Sequence, residues 1–170
     1  ESEMSDSVKN LQDAFAGESQ ANRRYLAFAK KAEQENLPQI ARLFRAAAAA
    51  ETVHAHAHLR AIGGIKSTKD NLQAAIEGEN YEFVTMYPDF LKAAGDEGNK
   101  AAEVSFRLAL AVEKIHHELY TAALQSLEAG GDLPSKKIYV CPVCGNTVYD
   151  AAPDKCPICG VPGDKFSEIE

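Results

Sequence analysis

Residues 44–54 read FRAAAAAETVH, and residues 106–116 read FRLALAVEKIH. In both copies Phe-Arg is followed by five residues and then by Glu-x-x-His, so the copies share spacing as well as composition. Residues three apart lie on one face of a helix, and Glu51 and His54 can therefore reach a common metal ion. The repeat predicts two helices that each present a carboxylate and an imidazole to a metal centre.

A single carboxylate lies upstream of each copy, Glu18 in the first half and Glu79 in the second. The second Glu-x-x-His pair is Glu113 with His116. A carboxylate on an apolar helical stripe is costly unless it is paired or binds a metal. One Glu from each of two helices and Glu-x-x-His from each of two others is the ligand set of ferritin-like di-iron bundles. Carboxylate oxygens with two imidazoles suit iron or manganese.

The last 30 residues hold all four cysteines, in two Cys-Pro-x-Cys-Gly knuckles whose Cys-x-x-Cys units are separated by eleven residues. This spacing predicts a tetrahedral four-thiolate metal site rather than disulfides. The proposed ligands are Cys141, Cys144, Cys156 and Cys159. Iron and zinc both accept this geometry, and the spacing does not distinguish them.

Turn signals divide the rest of the chain into four predicted helices, with Pro38 opening the second and Gly98 separating the third from the fourth. Pro88 predicts a kink inside the third helix. After the polar linker that carries Pro134, the composition changes to short β-prone segments. We therefore expect an all-α, ferritin-like four-helix bundle over residues 1–134 and a small metal-knuckle β domain over residues 135–170. The expected helices are 6–35, 38–62, 69–97 and the segment from Gly98 to Gly130.

Composition excludes several classes of function. The chain has 170 residues, with 18 basic and 25 acidic side chains and a formal charge of -7, which disfavours nucleic acid as a partner. No stretch approaches the roughly 20 apolar residues that a membrane span needs. The N-terminal residues lack the pattern of an export signal, so we expect a cytoplasmic protein without a membrane partner.

The whole chain resembles a rubrerythrin, a ferritin-like di-iron bundle followed by a rubredoxin-like iron domain. The resemblance covers nearly all 170 residues. Its motifs are Ala16-Gly17-Glu18-Ser19-Gln20-Ala21, Gly78-Glu79 with Glu82, Met86-Tyr87-Pro88, both Glu-x-x-His pairs and the double cysteine knuckle.

The resemblance implies a role for each bundle ligand. Glu51 and Glu113 are expected to bridge two irons, and Glu18, Glu79 and His116 to be terminal ligands. Glu82 and His54 are expected to alternate on one iron, with the carboxylate bound in the oxidised state and the imidazole in the reduced state. The counterpart of Glu82 in the first half is Ala21, so this seventh ligand distinguishes the two halves.

The resemblance also implies a function. Rubrerythrins are peroxidases that reduce hydrogen peroxide to water and protect against oxidative stress. A di-iron site supplies two electrons together, and the Fe(Cys)4 site relays single electrons to it. The electrons are expected to come from NAD(P)H through a rubredoxin or a separate reductase, since the chain lacks a dinucleotide-binding fingerprint. Zinc can replace iron in the cysteine site on heterologous expression.

Two other functions fit parts of the pattern. The bundle could oxidise ferrous iron for storage, or it could be a metal-stabilised binding module whose zinc ribbon recruits a partner. A red ferric-thiolate colour would exclude zinc in the cysteine site.

Tyr25 and Tyr87 are the candidates for hydrogen bonds to ligands or to bound peroxide, with ordinary packing as the alternative. We expect His58 to face inward without binding metal, and His56 and His117 to lie on the surface.

Oligomeric state follows from the reach of the chain. In a bundle with one crossover, the second and third helices run parallel, so their connection must travel back about 30 Å. Residues 63–70 cover at most about 30 Å when fully extended. We therefore expect a homodimer with swapped helical hairpins, in which each di-iron site takes ligands from two chains.

Overall fold

The structure is a computed structural model that describes residues 5–170. Residues 1–4, which bear on the expected lack of an export signal, lie outside this part of the chain. The described residues form two compact units, 5–66 and 67–170. None of the described helices is both long and apolar enough to cross a membrane.

The first unit is a hairpin of two long helices, α1 (Asp6–Gln34) and α2 (Pro38–Ala61). Pro38 begins α2, as its lack of an N–H favours, and Asn36 turns the chain with a φ of 58°. The helices meet on small buried residues, with Phe44 packed beside them; these residues are Ala29, Ala32 and Ala41. Alanines at the contact let the two backbones approach closely.

Polar side chains also join α1 to α2. Asn22 Nδ2 donates to the Ala48 carbonyl oxygen at 2.7 Å and to Thr52 Oγ1 at 2.9 Å. Nearer the turn, Glu33 forms an ion pair with Arg45. These contacts hold the two helices at a defined register, which matters because metal-ligand candidates lie on both.

The helices of the second unit are α3 (Thr68–Tyr81), α4 (Tyr87–Glu97) and α5 (Lys100–Glu128). The Asp70 N–H donates to the Ser67 hydroxyl at the start of α3, and the Ala102 N–H donates to Asn99 at the start of α5. Gly98 ends α4 with a φ of 68°, a conformation that favours glycine.

Residues 82–86 join α3 to α4 as a π-helical turn. The Tyr87 N–H donates to the Glu82 carbonyl oxygen, five residues back. Pro88 follows directly and has no N–H to offer the regular helical ladder. The kink predicted at Pro88 therefore takes the form of a π-helical turn just before it, and α3 and α4 together occupy the region expected for a single third helix.

The C-terminal module of the second unit is a three-stranded antiparallel sheet in the order β2-β1-β3. Its strands are β1 (Ile138–Val140), β2 (Thr147–Tyr149) and β3 (Ser167–Ile169). Strand β2 contacts α5. A helical region followed by a small cysteine-bearing β module is the fold class that the sequence predicts, and this prediction is confirmed.

Candidate metal centres

The first hairpin brings three predicted ligands together, Glu18 from α1 with Glu51 and His54 from α2. One ligand atom from each lies within 4.8 Å of the others. His54 Nδ1 is 3.0 Å from Glu51 Oε2 and 3.8 Å from Glu18 Oε2. Helical spacing aligns the first pair, and the packing of α1 on α2 brings in the third carboxylate.

The second unit repeats this arrangement with Glu79 from α3 and with Glu113 and His116 from α5. His116 Nδ1 is 2.9 Å from Glu113 Oε2 and 3.8 Å from Glu79 Oε1. The ligand atoms again lie within 4.8 Å of one another. We name the two groups the first triad and the second triad. The sequence repeat is therefore also a repeat of geometry.

Close carboxylates perturb one another in both triads. A hydrogen bond with Glu51 raises the pKa of Glu18, and the same bond, with help from His54, lowers the pKa of Glu51. The pKa of Glu79 is raised to about 7, first by burial, then by a hydrogen bond with Glu113 and by the charges of Glu113 and Glu82. In each pair two carboxyl groups lie close enough to repel one another when both are charged, and a bound cation would relieve that repulsion.

The second triad also contains a polar atom without a partner. Glu79 Oε2 is buried and has no hydrogen bond within the described part of the chain. A buried carboxylate oxygen needs a hydrogen bond or a cation. Since the triads contain two carboxylates and one imidazole each, their donors fit iron or manganese.

The four cysteines converge in the C-terminal module as free thiols. Cys141 Sγ lies 3.6 Å from Cys159 Sγ, and Cys144 Sγ lies 3.6 Å from Cys156 Sγ. These separations are too long for disulfides, and they match the edge of about 3.8 Å expected for a tetrahedron with metal–sulfur bonds of about 2.3 Å.

The two knuckles are built alike. In each, the glycine after the second cysteine donates its N–H to the carbonyl of the first cysteine at 2.9 Å, and Gly145 and Gly160 have φ values of 85° and 79°. Burial acts to raise the pKa of Cys156, but the backbone N–H groups of Cys159 and Ile158 outweigh it and bring that pKa to about 6. Cys156 therefore favours thiolate, the form that binds metal, whereas burial raises the pKa of Cys144 above its usual range.

Comparison with known proteins agrees with both kinds of site. A family model described as Rubrerythrin matches residues 9–124, and one described as Rubrerythrin, rubredoxin-like domain matches residues 139–167. The chain belongs to the rubrerythrin family. Its cofactors are accordingly a di-iron carboxylate site and an iron held by four cysteines, and the residues described above fit both.

Individual rubrerythrin-family proteins match along most of the chain. Rubrerythrin-2 of Clostridium acetobutylicum is 42% identical over 180 residues, which cover 94% of this chain and 98% of the relative. Nigerythrin of Nitratidesulfovibrio vulgaris is 37% identical over 174 residues, with 94% and 85% covered. The solved structure of nigerythrin in a partially reduced state is similar with a TM-score of 0.58 and 34% identity, covering 99% of this chain and 89% of that one.

Glu82, the seventh predicted bundle ligand of this rubrerythrin-family chain, lies outside the second triad but next to it. Burial raises its pKa, the charge of Glu113 adds to this rise, and His116 opposes it. These effects place the Glu82 carboxyl within electrostatic reach of the triad. Its position depends on the π-helical turn, because Glu82 is the first residue of that turn.

The π-helical turn corresponds to a difference in residue spacing between the two copies of the sequence repeat. Glu18 precedes Glu51 by 33 residues, whereas Glu79 precedes Glu113 by 34. The aromatic residues show that the extra residue lies between Glu79 and Tyr87, the segment that contains the turn. A π turn accommodates one additional residue within a helix. The second half therefore contains one inserted residue and, near it, the carboxylate that the first half lacks.

Tyr25 and Tyr87 occupy equivalent aromatic clusters. Tyr25 contacts Phe28 and Phe44 with ring centroids 6.3 and 6.2 Å away. Tyr87 contacts Phe90 and Phe106 at 6.3 and 6.1 Å.

Tyr87 also interacts electrostatically with nearby carboxylates. Burial raises the pKa of Tyr87, and the charges of Glu113, Glu82 and Glu79 raise it further. The Tyr87 phenol is thus coupled to the second triad, whereas the contacts of Tyr25 are those of ring packing.

The other histidines were partly predicted correctly. His56 is exposed as expected, and His58 is half-buried and lies outside the first triad. The prediction for His117 was wrong, because its ring is half-buried against Phe83, with centroids 5.4 Å apart. His117 follows the predicted ligand His116 and therefore lies on a different face of α5. That face is also packed, because Phe83 lies against it.

Two polar contacts near the metal sites had no signal in the sequence spacing. Asn146 is buried and its Nδ2 lies 3.8 Å from Cys156 Sγ, within reach of a thiolate acceptor. Thr147 Oγ1 lies 3.0 Å from His116 Nε2. Both residues directly follow the first knuckle, so their roles depend on how the module folds and packs on α5.

Proposed function

We propose that this oxidoreductase is a peroxidase that reduces hydrogen peroxide to water in protection against oxidative stress. The reaction consumes two electrons and two protons for each peroxide and yields two waters. The observation that carries the proposal is the presence, in one chain, of two matching Glu-Glu-His triads and a four-thiolate cage. A bound iron pair supplies both electrons together, and a thiolate-bound iron supplies one at a time.

We propose the following ligand set for the bundle. Glu51 and Glu113 would be shared between the metals, Glu18, Glu79 and His116 would each serve one metal, and Glu82 and His54 would alternate as ligands. The support is the convergence of each triad within 4.8 Å and the unpartnered, buried Glu79 Oε2. Glu82 has the charge coupling to Glu113 and His116 that an alternate ligand requires. The four cysteines bind the remaining iron.

Around these ligands, Tyr25 and Tyr87 are proposed to orient ligand carboxylates or bound peroxide through their hydroxyl groups. Aromatic packing holds each ring, so that a hydroxyl group is presented in a defined direction. The coupling of Tyr87 to three carboxylates makes it the stronger of the two assignments.

We propose that electrons reach the cysteine site from a rubredoxin or from an NAD(P)H-dependent reductase. The compartment proposed is the cytoplasm, where thiols stay reduced, and the support is that all four cysteines are free thiols in a metal-binding arrangement. The proposed domain division remains 1–134 and 135–170, supported by the end of α5 at Glu128 and the start of β1 at Ile138.

A homodimer with swapped hairpins is the proposed assembly. The connection between α2 and α3 has only six residues, 62–67, and spans at most about 25 Å. In a ferritin-like bundle made by one chain, the connection must return from Ala61 past the level of the ligands to the start of α3, which needs about 30 Å. Apolar side chains on α2 also remain exposed, with Leu43 at 69% and Val53 at 64%. A partner chain would cover such residues.

Complementation between two inactive variants tests the assembly. One variant loses the first triad by Glu51→Ala and His54→Ala, and the other loses the second by Glu113→Ala and His116→Ala. In a swapped dimer, refolding the two together restores one complete site in each mixed dimer, and bound bundle iron returns. If each chain builds its own site, mixing restores none. A monomer in light scattering with full bundle iron would also exclude the proposal.

The activity is tested by anaerobic stopped-flow absorption of the fully reduced, iron-loaded protein. We expect the ferric-thiolate colour to return rapidly on mixing with peroxide and slowly with oxygenated buffer. The control is the double variant Glu113→Ala and His116→Ala, which keeps the cysteine cage but lacks the second triad. Equal rates with peroxide and oxygen would instead favour iron handling. If the colour of the control variant returned at the rate of the parent protein, the colour would not report on the reaction of the bundle.

A further inference from the structure

The two triad histidines differ in what their outer ring nitrogen contacts. His116 Nε2 lies 3.0 Å from Thr147 Oγ1, and that hydroxyl donates to the Gly145 carbonyl oxygen at 3.0 Å. A threonine hydroxyl has one hydrogen. Since the hydrogen of Thr147 is used on Gly145, its oxygen accepts from His116, which places a proton of the imidazole on Nε2.

The inner nitrogen of His116 is consequently the one left to bind a metal, which would replace its hydrogen-bond contact with Glu113. Nδ1 faces the second triad, 2.9 Å from Glu113 Oε2 and 3.8 Å from Glu79 Oε1. This is the nitrogen that a metal held by the triad would bind. The hydrogen bond on the outer side therefore selects the tautomer and the ring orientation that metal binding requires.

Thr147 is itself held in place by the cysteine module. It begins β2 three residues after Cys144, where its backbone pairs with β1. Gly145 approaches α5 so closely that a Cβ added there would lie 3.6 Å from the buried Val112. The hydroxyl thus belongs to a packed contact between β2 and α5 within the second unit.

His54 provides the contrast. Its Nδ1 has similar distances to its triad, 3.0 and 3.8 Å, but within the described part of the first unit, residues 5–66, its Nε2 has no hydrogen-bond partner. Its side chain is 55% exposed, compared with 28% for His116. His116 is thus anchored on its outer side by a residue of its own unit, whereas the first unit offers His54 no such anchor.

We propose that Thr147 is a positioning residue that fixes the orientation in which His116 would bind a metal, whereas His54 has no such anchor within its own unit. The inference rests on the proposed ligand set. It assigns the asymmetry between the two halves to a hydroxyl of the cysteine module as well as to Glu82.

The test uses the full-length, iron-loaded protein in the di-ferrous state and proton NMR of the metal-bound imidazoles. Their ring N–H protons are shifted by the paramagnetic iron, and His116→Gln and His54→Gln identify which signal belongs to which ring. The variants are Thr147→Val and Thr147→Ala, which remove the hydroxyl, and Thr147→Ser, which keeps it. Thr121→Val is the matched control, because Thr121 also lies in the second unit but bonds the His117 carbonyl.

We expect the His116 N–H of Thr147→Val and Thr147→Ala to exchange with D2O about tenfold faster than in the parent protein, as for loss of one hydrogen bond. Thr147→Ser and Thr121→Val should retain the parent rate, and the His54 signal should be the same in all. The ferric-thiolate spectrum checks that the module remains folded. The inference would be overturned if the His116 N–H exchanged at the same rate in the parent protein, in Thr147→Val and in Thr147→Ala. A parent protein without any His116-dependent shifted signal would overturn the proposed ligand set, and the inference with it.

Discussion

Replacing Glu79 by glutamine should have opposite effects on the metal-free and the iron-loaded protein. Glu79 is held among carboxylates, and burial together with Glu113 and Glu82 raises its pKa to about 7. In the metal-free protein its charge is therefore unfavourable, and an uncharged glutamine of the same size removes that cost. With iron bound, the negative carboxylate attracts the metal ion, and a neutral glutamine is a weaker ligand. Glu77→Gln, on the exposed side of α3, is the matched control.

The size of this stability change and its pH dependence follow from the linkage between proton binding and folding. The unfolded chain has the ordinary carboxyl pKa of 4.5, below the folded value of about 7. As pH rises from 4.5 to 7 the unfolded state loses its proton first, so the metal-free protein loses stability over this window, and the loss is constant above it. The pKa difference corresponds to at most about 3 kcal/mol. Screening by solvent at a side chain that is 18% exposed reduces this to about 1–2 kcal/mol.

The assay is urea unfolding of the metal-free protein with chelator and reductant, at one protein concentration, at pH 5 and pH 8. We expect Glu79→Gln to be more stable than the parent by about 1–2 kcal/mol at pH 8 and by much less at pH 5. Glu77→Gln should change stability by less than about 0.5 kcal/mol at both. In parallel, Glu79→Gln should bind less bundle iron. A Glu79→Gln protein that is less stable than the parent at pH 8 without metal would refute the reasoning.

Three further predictions concern other parts of the chain. Gly145→Ala places a side chain at a φ of 85° and should destabilise the module by about 1–2 kcal/mol, seen as loss of the ferric-thiolate absorption at lower temperature, whereas Gly131→Ala should not. Asn22→Ala removes two hydrogen bonds between α1 and α2 and should cost about 1–3 kcal/mol in urea unfolding; an unchanged midpoint would contradict it. Because burial and carboxylate charges raise the pKa of Tyr87, iron loading should lower that pKa toward its ordinary value in an ultraviolet titration, with Tyr87→Phe identifying the signal.

Much of the helical architecture was predictable because its signals are local. Pro38 at the start of α2, Ser67 before α3 and Gly98 after α4 act through their own backbone chemistry, whatever the rest of the chain does. The expected helix boundaries consequently agree with the structure to within about two residues.

The π-helical turn was only partly predictable. The sequence contains the one-residue difference in spacing between the two halves, and Pro88 marks an interruption. Neither observation says whether the extra residue forms a kink, a loop or a π turn. That outcome depends on keeping Glu79 and Tyr87 both directed at α5, which is a constraint from packing.

By itself the sequence determined which residue types face each metal site and how they pair. Glu51 with His54, and each cysteine with its knuckle partner, are set by spacings that helical and turn geometry make unavoidable. Tertiary structure decided the rest. The elevated pKa of Glu79 and the anchoring of His116 by Thr147, 31 residues away, arise from burial and from contacts between distant segments. Spacing along a chain does not encode such contacts, because they exist only once helices and module have packed.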